Sequence, residues 1–163
     1  KQEEDLRALH LRYPFITIWD DHESADNSYT EGANNHNEGE GEWPVRKAAA
    51  QKAYDEWMPI RLPEPGNANK IFRKIQLGDM AELILLDTRL FDRDPDLGIP
   101  VNPITGNASD PNRTMIGQEQ MDFLIGGLRN SKARWKLIGN QVVMPEDLTQ
   151  NQQRNCNAVK HLR

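Results

Sequence analysis

Five consecutive residues, Trp19-Asp20-Asp21-His22-Glu23, offer more chemistry than any other stretch of the sequence. Two aspartates, an imidazole and a glutamate this close together cannot all face a hydrophobic core. A carboxylate here suits a metal ion, and a neighbouring His suits proton donation to a leaving oxygen or contact with an anionic substrate. The alternative is structural: an N-capping Asp followed by acidic residues in the first helical turn. These five residues alone leave both interpretations open.

A short apolar run at residues 15–19 must position this cluster. Its β-branched and aromatic residues predict a buried strand. The cluster then follows the carboxyl end of that strand, which is where open α/β sheets bind ligands. A connection of 24 residues comes next, over residues 20–43, and loops of that length are usually functional or disordered.

The remaining pattern predicts a mixed α/β sheet with helices on its faces. A first helix ends near residue 12, and a second begins at Pro44 and stops before Pro59. A third helix covers about residues 118–130. Strands are expected at residues 70–77, 80–87 and 135–144; Gly78-Asp79 marks a two-residue hairpin, and the apolar second strand should be central.

Further buried residues are predicted on the second helix and among the tryptophans. The apolar stripe expected to be buried on the second helix comprises Val45, Ala48, Ala49, Ala53 and Trp57. Trp43, Trp57 and Trp135 are all predicted to be core residues.

Acidic charge is concentrated in the long connection. Between Asp20 and Glu42 there are eight acidic residues and no Lys or Arg, within a chain whose formal net charge is −5. Such a stretch repels polyanions, which argues against a nucleic-acid-binding surface there. It suits hard cations such as Ca²⁺, Mg²⁺ or Fe, although the charge alone favours the simpler interpretation of a solvated acidic loop.

Length and composition limit the number of domains and exclude a transmembrane segment and cysteine-based sites. The 163 residues fit one domain, and the longest aliphatic run, Leu83-Ile84-Leu85-Leu86, is far too short for a transmembrane segment. The single cysteine, Cys156, excludes an internal disulfide framework and a cysteine-based zinc site.

The cluster and its neighbours resemble the central motif of the alkaline phosphatase D (PhoD-like) metallophosphatases. The similarity begins at Trp19-Asp20-Asp21-His22-Glu23-Ser24-Ala25-Asp26-Asn27 and continues collinearly over roughly residues 12–145. Its further blocks include Leu77-Gly78-Asp79-Met80-Ala81-Glu82-Leu83, Leu86-Asp87-Thr88-Arg89, Gly117-Gln118-Glu119-Gln120 and Trp135-Lys136-Leu137-Ile138-Gly139-Asn140-Gln141-Val142.

The resemblance implies a four-layer α/β/β/α metallophosphoesterase sandwich and hydrolysis of phosphate mono- or diesters at a centre of Ca²⁺ and Fe³⁺. It makes Asp21 a metal ligand and His22 the residue that contacts phosphate or protonates the leaving group. Glu23 would orient His22. Asp20 would be a ligand or a structural neighbour. Bacterial relatives are typically exported, which implies a periplasmic, cell-wall or extracellular location.

Three further residues are candidates for the same site. His36 suits either a contact to substrate or an ordering role in its loop. Asn27, with Asp26, suits either oxygen ligation or the turn itself. Arg89 suits either a clamp on phosphate or an ion pair that fixes its loop.

Several motifs expected of the family are missing from residues 1–163, including further Asp and His ligands. We therefore expect residues 1–146 to form part of a PhoD-like domain and residues 147–163 to be a loosely ordered polar tail. The chain alone should have negligible phosphatase activity. The competing hypothesis is a non-catalytic module whose acidic loop binds a cation or contacts a partner.

Overall fold

The computed structural model describes residues 3–58, 60–96, 110 and 112–142. Within these ranges the elements are α1 (Glu4–Arg12), α2 (Trp43–Trp57), β1 (Arg73–Leu77), β2 (Ala81–Leu85), α3 (Gly117–Asn130) and β3 (Trp135–Gly139). The predicted tail at residues 147–163 lies outside the described residues. No helix in the described part of the chain is long and apolar enough to cross a membrane.

The three strands form one mixed sheet in the order β1-β2-β3. β1 and β2 are antiparallel, with Leu77 opposite Ala81, and β2 and β3 are parallel, with Leu85 opposite Gly139. The prediction that the apolar strand is central is therefore confirmed, as is the mixed α/β class. The hairpin loop has three residues, 78–80, instead of the predicted two, and Gly78 opens it at a φ of 62°.

The described residues contain two buried apolar clusters. α3 packs on the sheet through one of them, in which Leu124 and Ile116 contact Ile84 and Leu86 of the central strand segment. The second cluster lies beneath the long connection; its buried members are Trp19, Ala25, Trp43, Tyr54, Ile71 and Leu90. The polar cluster at residues 20–23 starts directly above this second core.

The segment at residues 15–19 is extended but is not a strand, so that prediction was wrong. A strand needs a hydrogen-bonded neighbour, and here the carbonyl of Thr17 accepts a hydrogen bond from the Arg73 side chain. Only Trp19 is buried, whereas Phe15 and Ile16 are exposed. The segment therefore anchors the polar cluster through the buried Trp19 indole, with Ile18 packed against the same core.

The predicted stripe on α2 was also wrong. The helix buries Trp43, Gln51 and Tyr54, and Val45 is 69% exposed. Trp57 and Trp135 are likewise exposed, which corrects their assignment to the core. The repeated alanines predict a helix but do not indicate which face is buried, because alanine is a good helix former on either face.

The last strand is shorter than predicted and forms the edge of the described sheet. β3 ends at Gly139 instead of residue 144, and residues 143–144 lie outside the described part of the chain. Its side chains at Trp135, Leu137 and Ile138 are exposed because no described element covers them. The carboxyl ends of β2 and β3 nevertheless lie side by side, and β2 leads to the turn at residues 87–89.

Candidate metal centre

Asp21 is the buried centre of the polar cluster. Its Oδ1 accepts a hydrogen bond from the amide of His22, and its Oδ2 accepts one from the amide of Asn27, both at 3.0 Å. Its carbonyl accepts further bonds from the amides of Ser24 and Ala25, which closes a tight turn. Asn27 ends the turn at a φ of 47°, which lies in the left-handed region that asparagine tolerates.

Two forces act on the pKa of Asp21. Burial raises it, but the hydrogen bond from Asn27 and the nearby Arg89 guanidinium outweigh burial, so the pKa lies below its ordinary value. Asp21 is therefore ionised at any pH at which phosphatases act. An ionised carboxylate is the form that binds a metal ion.

The tight turn brings His22 and Asp26 to the same side, four residues apart. His22 Nε2 lies 3.7 Å from Asp26 Oδ1, and the His22 side chain is 78% exposed. One ligand atom from each of Asp21, His22 and Asp26 lies within 4.8 Å of the other two. Two carboxylates and an imidazole suit the hard and borderline cations, so these residues fit the metal that the sequence implied.

Asp20 and Glu23 lie beside this group without belonging to it. Asp20 Oδ1 accepts a hydrogen bond from Arg89 Nε at 2.6 Å, and Arg89 Nη2 lies 3.7 Å from Asp21 Oδ2. Glu23 Oε2 accepts a hydrogen bond from the amide of Asp20. The carboxylate beside His22 is thus that of Asp26, not Glu23, and Arg89 forms the ion pair that was one of its two predicted roles.

His36 is held inside the long connection. Its Nδ1 lies 3.3 Å from Arg46 Nη1 and 3.7 Å from Glu40 Oε2, and its ring packs edge-on against Trp43. Arg46 also donates to the carbonyl of Ser24. These contacts link the acidic connection to α2, and a contact between His36 and substrate stays a prediction.

Sequence reasoning undervalued Asp26 and passed over Asp87. The spacing of four from His22 could have favoured Asp26 as a neighbour, but only once the segment was known to turn like a helix. Asp87 is fully buried, and its Oδ1 accepts hydrogen bonds from the amides of Arg89 and Leu90 at 2.9 Å. It shapes the turn that presents Arg89 to Asp20.

Comparison with known proteins identifies the family. The sequence profile of the PhoD-like phosphatases matches residues 1–160. The chain belongs to the PhoD-like phosphatase family. Alkaline phosphatase D of Bacillus subtilis (strain 168) is 31% identical over 144 residues, which are 87% of this chain and 24% of that protein.

A solved structure of PhoD agrees with this assignment. It is 31% identical to the chain and matches it with a TM-score of 0.72, covering 86% of this chain and 27% of that one. The chain therefore spans about a quarter of the length of these PhoD-like relatives. The resemblance drawn from the sequence motifs is confirmed at the level of the family.

Proposed function

We propose that this chain carries one corner of the metal centre of an alkaline phosphatase D type enzyme that hydrolyses phosphate mono- or diesters. The observation that carries the proposal is the convergence of Asp21, His22 and Asp26 in a chain of the PhoD-like family. The cations expected are Ca²⁺ and Fe³⁺, and the expected setting is a four-layer sandwich in an exported protein. The remaining ligands are to be sought in a longer polypeptide that contains this segment.

Each side chain has a distinct task in this proposal. Asp21 is ionised and is fixed by two backbone amides, so it would bind a cation without reorganising. Asp26 would be a second oxygen ligand. When bound, the metal ions would lower the pKa of a water molecule and offset negative charge on the phosphoryl group.

His22 is the residue best placed to meet the substrate. Its imidazole is the most exposed member of the group, and it lies beside Asp26. An imidazole in that position would contact a phosphate oxygen or hold the proton that the leaving oxygen takes up. Asp26 would keep the ring oriented.

The experiment uses a longer polypeptide that contains this segment and a chromogenic phosphate ester. Asp21→Asn should lower both the metal content and the turnover, because it removes the ionised ligand. His22→Ala should keep the metal content while lowering kcat by about 10²–10⁴-fold, which is typical for a lost general acid. Glu38→Gln, an exposed acid of the same connection, should change neither quantity.

The opposite pattern would exclude the enzyme hypothesis. If His22→Ala leaves turnover intact and Asp21→Asn leaves the metal content unchanged, neither residue serves the reaction. Metal binding that depends on Asp21 without any ester hydrolysis would instead favour the non-catalytic cation-binding module.

A further inference from the structure

Gln120 of α3 is fully buried and makes a two-way contact with the backbone beyond the end of β2. Its Oε1 accepts a hydrogen bond from the amide of Asp87 at 2.6 Å, and its Nε2 donates to the carbonyl of the same residue at 2.8 Å. The Gln120 side chain therefore pairs with both the amide and the carbonyl of Asp87, as the backbone of a neighbouring strand does inside a sheet. A charged or apolar residue at this position could not make both bonds.

Gln141 does the same from the other side, in the segment that follows β3. Its Oε1 accepts hydrogen bonds from the amide and the hydroxyl of Thr88, at 3.1 and 2.5 Å. Its Nε2 donates to the carbonyl of Leu86 at 2.8 Å. Three successive residues, 86–88, are thus held by two glutamine side chains that come from different elements.

The turn held in this way delivers Arg89 to the candidate metal centre. Asp87 Oδ1 fixes the amide of Arg89. The Arg89 side chain, which is 9% exposed, then pairs with Asp20 and lies close to Asp21. The backbone of residues 86–89 and its hydrogen bonds therefore connect both glutamines to the Arg89–Asp20 ion pair.

We propose that Gln120 and Gln141 are positioning residues, which hold the turn at residues 87–89 so that Arg89 orients Asp20 and Asp21 for metal binding. The inference rests on the proposed function for its metal-binding consequence. It assigns a task to two residues outside the cluster, one on α3 and one in the segment that follows β3. Both act through Arg89, and neither touches metal or substrate.

The test removes the hydrogen bonds while preserving side-chain size. Gln120→Met and Gln141→Met are compared with Gln118→Met. Gln118 is an exposed glutamine of α3 whose side chain donates a hydrogen bond to Asp122 on the same helix. The first measurement is the ¹⁵N resonance and the hydrogen exchange of Arg89 Nε–H, which report its pairing with Asp20. The second is the affinity for Ca²⁺ alone, measured by calorimetry under conditions in which each variant is folded.

Both glutamine variants should release Arg89 Nε–H into fast exchange and lower the Ca²⁺ affinity about tenfold, as lost support of a ligand usually does. Gln118→Met should change neither. In an Arg89→Met background, adding Gln141→Met should change the Ca²⁺ affinity by less than about twofold, because both substitutions remove the same support. Leu128→Ala controls for a general loss of stability and should leave the Arg89 signal unchanged.

An Arg89 signal that survives in both glutamine variants would overturn the inference, as would additive effects of Gln141→Met and Arg89→Met on Ca²⁺ affinity. A third result would separate the two proposals: the wild-type chain binds no Ca²⁺, but its Arg89 signal still depends on both glutamines. The proposed metal function would then fail, while the positioning of Arg89 would stand.

Discussion

Asp21 and Asp87 are both buried carboxylates, but their surroundings move their pKa values in opposite directions. At Asp21, hydrogen bonding and Arg89 outweigh burial and lower the pKa. At Asp87, complete burial raises the pKa, although the amides of Leu90 and Arg89 and the charge of Lys47 oppose the rise. Asp21 is thus the more readily ionised of the two, whereas Asp87 accepts hydrogen bonds that shape its turn.

The raised pKa of Asp87 predicts a pH-dependent difference between the wild-type chain and Asp87→Asn. Above the ordinary value of 3.8, the unfolded chain releases its proton before the folded chain does. Wild-type stability therefore falls as pH rises towards the raised pKa, and an Asn has no such loss. Urea unfolding at several pH values from about 4 to 8 should show the free energy of unfolding of Asp87→Asn rising relative to wild type; a constant difference would contradict this account.

At single residues, the sequence resemblance named candidate groups, whereas their contacts depend on the folded chain. The resemblance pointed to Asp21 and His22, and the structure places their ligand atoms together. It also suggested Glu23 as the partner of His22, where the structure has Asp26. Which of these carboxylates lies beside His22 depends on the turn that ends at Asn27. That turn is stabilised by a hydrogen bond to the Asp21 side chain, six residues earlier, and residue propensities do not predict such a bond.

At the scale of elements, helices and strands were easier to predict than the faces they bury. The hairpin, the central strand and α3 follow from hydrophobic periodicity and a turn signal. The buried face of α2 does not, because it includes Gln51 and a tyrosine whose places depend on the long connection. The extended run at residues 15–19 was mistaken for a strand because its composition is strand-like, while pairing depends on neighbours remote in sequence.

The corrected face of α2 predicts unequal effects of two neighbouring substitutions. Trp43 is buried against His36, and its Nε1 donates to the carbonyl of Thr30, so Trp43→Ala should lower the free energy of unfolding by about 3–5 kcal/mol. Val45→Ala should change it by no more than about 0.5 kcal/mol, because Val45 is exposed. Chemical denaturation measures both changes in the free energy of unfolding. Equal losses would mean that α2 buries the face that includes Val45, as the sequence pattern predicted.

Two adjacent glycines of α3 give a second matched pair. A Cβ at Gly126 would meet no atom within 4 Å, so Gly126→Ala should stabilise the chain by about 0.5–1 kcal/mol through helix propensity alone. A Cβ at Gly127 would lie 3.0 Å from Ile84 Cδ1, and Gly127→Ala should gain less. Thermal unfolding of the two variants compares them directly; a larger gain at Gly127 would mean that α3 packs differently on β2.

At the scale of the whole molecule, the described sheet has an open side. The edge strand β3 exposes Trp135, Leu137 and Ile138, and the chain spans about a quarter of its relatives. The sequence motifs were sufficient to identify the family. They could not supply the ligands of a complete centre, since the described residues bring together only Asp21, His22 and Asp26 as a group of three.

This incomplete ligand set predicts that the 163-residue chain alone has negligible phosphatase activity even with added metal. A single cation held by Asp21 and Asp26 lacks the partners needed to stabilise the phosphoryl charge from several sides. Incubation with a chromogenic phosphate ester, Ca²⁺ and Fe³⁺ measures this. Robust turnover that Asp21→Asn abolishes would show that the chain is an enzyme by itself.

The most direct test of the central claim is whether the cluster at Asp21 binds a hard cation. Tb³⁺, an oxygen-seeking probe for Ca²⁺ sites, can be titrated into the chain while its luminescence is excited through tryptophan, since Trp19 lies two residues from Asp21. The account predicts saturable binding that weakens at least about tenfold in Asp21→Asn and is unchanged in Glu38→Gln. Equal binding by wild type and Asp21→Asn, or no saturable binding by wild type, would contradict it.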